Sequence, residues 1–84
     1  ELEDIQINIY PNPTSDYLFL ESKIPNAFQN IMLFSIDGKK LIVPNNQSNL
    51  YQNELNLSHL ATGKYLLIFE IEEALYFKKI VVSH

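Results

Sequence analysis

Ser58 and His59 stand side by side, and His59 and His84 are the only two histidines of the chain. A serine next to a histidine invites a nucleophile-and-base reading. Adjacent residues give poor geometry for it, because a working triad draws facing side chains from separate elements. The pair is read instead as an exposed part of an arch. Glu70, Glu72 and Glu73 form the densest acidic group. Carboxylates can hold calcium, but a calcium loop needs a run of oxygen ligands around a turn glycine, which this stretch lacks. The three read as a solvated hairpin end. With Gly38 and Gly63 the only glycines, no phosphate-cradling loop is available. With no cysteine, neither a disulfide nor a thiolate metal site can form. Nothing assembles a nucleophile, a base and an oxyanion site, so the expectation is a non-enzyme without catalytic, cofactor or metal residues.

Other residue types carry weaker signals. Tyr10, Tyr17, Phe19, Tyr51, Tyr65, Phe69, Tyr76 and Phe77 could form a flat sugar-stacking platform. Most lie at alternating positions, where aromatics fill a core or pair across strands, and core is the preferred reading. Asn46-Gln47-Ser48 and Asn56-Leu57-Ser58 fit the glycosylation acceptor pattern, which an asparagine-rich chain also produces by chance. Ten acidic residues against six lysines, with no arginine, give a net charge of −4 and argue against tracking a nucleic-acid backbone. No apolar run reaches the length of a membrane-spanning helix, so membrane insertion is not expected.

The elements that must position these residues repeat with period two. Ile5, Ile7 and Ile9 alternate with polar partners as a half-buried strand. Pro11 and Pro13 stop its pairing, and Tyr10 and Asn12, each preceding a proline, are pushed to extended geometry. Thr14, Ser15 and Asp16 can close turns against their own backbone. Residues 17–21 resume a strand, with Leu18 and Leu20 on one face and Tyr17 and Phe19 on the other. Residues 23–28 read as a connection. Residues 30–36 are nearly all apolar and are expected to be covered on both sides. Asp37-Gly38 is the strongest hairpin signal, returning through residues 39–43. Residues 44–49 read as a polar loop and 50–57 as a weaker strand.

Gly63 is expected to permit a positive φ ahead of a strong strand, residues 65–71. Glu72, Glu73 and Ala74 turn the chain into the last strand, residues 75–82. Tyr65 just after an arch matches a tyrosine corner, with its hydroxyl bound to backbone slightly upstream. One of the neighbours Lys78 and Lys79 must lean to the core side, where an edge-strand charge opposes aggregation. About seven short strands with regular turn signals predict an all-β, antiparallel immunoglobulin-like sandwich spanning residues 5–84. Residues 1–4 read as the end of a linker, and a chain opening at Glu1 as a piece of a longer polypeptide.

Four segments then fall in a telling order: YPNPTSDYL (residues 10–18), DGKKL (37–41), LNLSHLATGKYLL (55–67) and KKIVV (78–82). Together they resemble the C-terminal sorting domain of type IX secretion substrates, type A, also called the Por secretion tail. The family pattern falls on Pro11, Asn12 and Pro13, on Gly38 and Lys39, on Leu60, Gly63 and Tyr65, and on Lys79, Ile80, Val81 and Val82. The resemblance implies a non-catalytic module fused behind a cargo and exported by Bacteroidetes-type bacteria. It implies passage from the periplasm through an outer-membrane translocon, and removal at the cell surface by a sortase. Gly38, Gly63 and Tyr65 have full structural explanations, so the recognition candidates are the Pro11-Asn12-Pro13 corner and residues 79–82. An exposed edge strand can accept another strand by main-chain pairing. Two rivals stand beside this reading. One is a carbohydrate-binding or adhesive sandwich, which requires a solvent-facing row of tyrosines; the other is an immunoglobulin-like spacer.

Overall fold

A computed structural model describes residues 6–84, and the expected linker at residues 1–4, like Ile5, lies outside them. Eight strands follow in order: β1 (Ile7–Tyr10), β2 (Tyr17–Ser22), β3 (Gln29–Ser35), β4 (Lys40–Leu41), β5 (Asn45–Asn49), β6 (Gln52–Asn56), β7 (Gly63–Ile71) and β8 (Ala74–Val82). They form two antiparallel four-stranded sheets, β1-β2-β6-β5 and β4-β3-β7-β8, facing each other as a sandwich. Period-two alternation decides the inner faces. Leu18, Leu20, Leu55 and Leu57 line one side of the core, and Leu33, Leu67, Phe69, Ile71, Ile80 and Val82 the other. Ala27 and Phe28, in the connection after β2, close one end, where Phe28 meets Phe69 edge-on at 5.4 Å.

Several details differ from the sequence reading. Residues 45–49 form β5 rather than a loop. Asn45 to Asn49 carry no apolar alternation to announce a strand, yet their main chain pairs with β6 through Asn45↔Leu55 and Gln47↔Asn53. The strand before it shrinks to Lys40 and Leu41, because Ile42 is already turned into solvent. The Asp37-Gly38 hairpin is present, but not as a two-residue turn. Ser35 and Lys39 pair around Ile36, Asp37 and Gly38, with Gly38 at φ 88°. A type I turn followed by a left-handed residue gives this shape. The two-residue turn falls instead at Glu72 and Glu73, both at positive φ between the paired Ile71 and Ala74.

Gly63 does not adopt positive φ. A Cβ there would sit 4.0 Å from its nearest neighbours, which is ordinary contact. The aromatics are also less buried than expected. Phe69 is core and Tyr65 and Tyr76 pack against it, while Tyr10, Tyr17, Tyr51 and Phe77 are exposed. Alternation puts every second aromatic on an outer face, and a sandwich covers only the inner ones. For the same reason Met32 and Phe34 of β3, expected to be covered on both sides, remain half-buried on the outer face.

Candidate functional site

The two recognition candidates, far apart in sequence, meet along one sheet edge. β1 pairs with β2 in the first sheet. The chain then bends through Pro11-Asn12-Pro13, where both Xaa-Pro bonds are cis, and crosses to the second sheet. There Thr14 forms a parallel bridge with Val82 at the outer edge of β8. A strand that changes sheets needs such a bend, and proline supplies it without leaving an unpaired N–H.

Asn12 sets this crossing. Its side-chain Nδ2 donates to the Lys79 carbonyl at 3.0 Å, and its Oδ1 accepts from the Val81 N–H at 2.9 Å. The amide thus occupies one outward donor and one outward acceptor of β8, as a neighbouring strand would. Thr14 continues the pairing: its N–H donates to the Val81 carbonyl at 2.9 Å, and its carbonyl accepts from the Ser83 N–H at 2.8 Å. Buried Thr14 also donates its hydroxyl to the Tyr17 carbonyl at 2.5 Å. The corner is therefore a latch on the last strand as well as a bend.

This placement sorts the candidates. Ile80 and Val82 are fully buried and belong to the core. Lys79 and Val81 present their side chains to the outer face, beside Leu66 and Lys64 of β7. Pro11, Asn12 and Pro13 are exposed. Because alternate residues of β8 point their backbone groups outward, Leu75 and Phe77 keep outward N–H and C=O groups beyond the latched segment. Lys78 lies on the core-facing side of β8 but is exposed at its rim, as an edge charge must be.

The remaining motif residues hold the frame. Half-buried Tyr65 donates its hydroxyl to the Ala61 carbonyl at 2.5 Å, the expected tyrosine corner. Leu60 closes the arch on Leu57 and packs against the core. The ring of His84 meets the Leu60 carbonyl at 2.6 Å, tying the end of the chain to the arch, a contact that no local pattern announces. In the β3–β4 hairpin Lys39 pairs its backbone with Ser35. The Ser35 hydroxyl, then the Asp37 backbone N–H and the nearby Lys39 charge, hold the Asp37 carboxyl below its usual range. The Ser58 hydroxyl donates to the Asn56 side-chain oxygen at 2.6 Å, and Glu70 accepts from Asn30 at 2.8 Å.

The candidate residues thus form a set of main-chain groups and outward side chains along one sheet edge. That defines a folded β-sandwich latched at its last strand. More narrowly, the chain belongs to the secretion system C-terminal sorting domain family, whose model matches residues 8–83. It is the sorting domain of type IX secretion. None of the curated proteins matches the chain.

Proposed function

We propose that this domain is a non-catalytic signal that carries an N-terminally fused cargo across the outer membrane through the type IX translocon, for removal by a sortase at the cell surface. The family match over residues 8–83 carries the reading. The latch adds a physical point: Asn12 and Thr14 hold residues 79–83 within a folded edge, so the signal acts as a surface of the sandwich. Strand addition by a transport component is then directed to the part of the β8 edge with which no described residue pairs, at Leu75 and Phe77.

The test is a fusion of the chain behind a periplasmic reporter in a type IX-competent host, scored by reporter in the medium or on the cell surface. Deleting the last strand is uninformative, because Ile80 and Val82 are fully buried and their loss unfolds the sandwich. Leu75→Pro is sharper. It removes an outward N–H, while residue 75 has no inward N–H for the β7 ladder to lose. Export unchanged by Leu75→Pro rejects strand addition there; an intact fusion retained in the periplasm rejects the sorting role.

A second reading has one observation in its favour. Tyr10 and Tyr17 face outward from the first sheet with Phe19 between them, and Gln52 donates to the Tyr10 hydroxyl at 3.1 Å. A carbohydrate-binding accessory would use such a row. Polysaccharide binding by the isolated domain that Tyr17→Ala abolishes would favour it.

A further inference from the structure

The outer face of the second sheet does not look like a solvent face. Antiparallel sheets with one wet side put polar residues there, and the outer face of the first sheet mixes Glu21, Gln52, Glu54 and Asn56 with its tyrosines and Phe19. The second sheet instead carries two adjacent apolar rows, Phe34 with Leu66 and Met32 with Ile68 and Phe77. Phe77 is 63% exposed. An open groove of about 730 Å³ runs over Phe34, Leu66 and Ile68. The near-continuous apolar runs of β3 and β7 are the pattern of strands covered on both faces, and the described residues supply one cover. Contiguous exposed apolar surface of this kind marks an interaction site.

Charge indicates what covers it. Lys40 and Lys79 end the Phe34 and Leu66 row, and Lys64 lies beside it, so three of the six lysines share this face in a chain of net charge −4. The carboxylate on the face, Glu70, is engaged by Asn30. A second copy would bring the same lysines with only Glu70 as counter-charge, so self-pairing is electrostatically poor. We propose that this face, centred on Leu66 and Phe77 and rimmed by Lys40, Lys64 and Lys79, docks on a protein of the export apparatus that presents an apolar patch edged with carboxylates. The inference rests on the sorting role above and adds the docking surface and the chemistry of its partner.

The experiment compares fusions carrying wild-type sequence, Phe77→Glu, the double reversal Lys64→Glu with Lys79→Glu, the double Lys→Arg change at the same positions, and Tyr17→Glu on the opposite sheet. Phe77, Lys64, Lys79 and Tyr17 are exposed, so all variants are expected to melt near the wild-type temperature. Phe77→Glu and the lysine reversal should each lower export at least about tenfold, as loss of an interface anchor does. The arginine pair, which keeps both positive charges, should recover most of the export lost in the reversal, and Tyr17→Glu should leave export unchanged. A photocrosslinking residue at position 77 should capture a component of the export apparatus, less efficiently at high salt. Full export of folded Phe77→Glu overturns the docking face while leaving the sorting role intact. Crosslinks to lipid or to a second copy overturn the partner assignment. A wild-type fusion that stays in the periplasm removes the sorting role and this inference with it.

Discussion

Asn12 shows how one short side chain can act as a strand. Its amide offers a donor and an acceptor at the spacing of a backbone, and it meets Lys79 and Val81 from 67 and 69 residues away. Each such hydrogen bond contributes about 1 kcal/mol net. Asn12→Ala should therefore lower stability by about 1–2 kcal/mol in urea melts and speed exchange of the Val81 amide. Asp37 gives a pH-dependent counterpart. Its carboxyl is favoured in the charged form by the Ser35 hydroxyl, so its pKa is lower folded than unfolded. The stabilisation it contributes is full at neutral pH and is lost as the pH falls below about 4 and through the lowered pKa. An NMR titration should find the Asp37 pKa below the usual aspartate value, and Ser35→Ala should raise it. Neither the Asn12 contact nor the depressed Asp37 is legible from residue type alone. Proline and asparagine at positions 11–13 announce a bend, but not the strand it will fasten.

At the scale of elements, the strands with strong alternation or long apolar runs are where the sequence places them. Residues 17–21 and 65–71 show this most clearly, since Leu18 and Leu20 in the first and Leu67, Phe69 and Ile71 in the second turn inward at alternate positions. β5 escapes the same reading because NNQSN has no apolar member, and its pairing with β6 rests on main-chain groups. Turn chemistry misleads in a related way. Asp37-Gly38 advertises a tight hairpin but forms a longer one, while Glu72 and Glu73 hold the two-residue turn at φ 51° and 69°. Left-handed backbone costs an ordinary L-residue about 1–2 kcal/mol, and turns of this kind favour Asn-Gly. Replacing Glu72-Glu73 by Asn-Gly should thus stabilise the domain by about 1 kcal/mol, read as a higher urea midpoint at unchanged slope.

For the whole molecule, stability comes from facing sheets whose inner leucines are fully buried. Leu55 sits between Leu18 of β2 and Asn45 of β5 in the middle of its sheet, at 0% exposure. Leu55→Ala should cost about 2–5 kcal/mol, a large part of the 5–15 kcal/mol typical of a domain, and should unfold an appreciable fraction at 37 °C. Circular dichroism against temperature measures it. The all-β class, the inward face of most strands, the tyrosine corner and the motif order that marks a sorting domain are legible in the sequence. Those properties depend on local period, turn residues and spacing, which are written along the chain. The closing of the first motif on the last, the exposure of four of the ten aromatics, and an outer side of β3, β7 and β8 that the described residues leave open follow instead from tertiary contacts. Alternation assigns side chains to two faces of a strand. Which face receives a second sheet, and which edges meet, follows from how the sheets stack, and that is settled by contacts between residues distant in sequence.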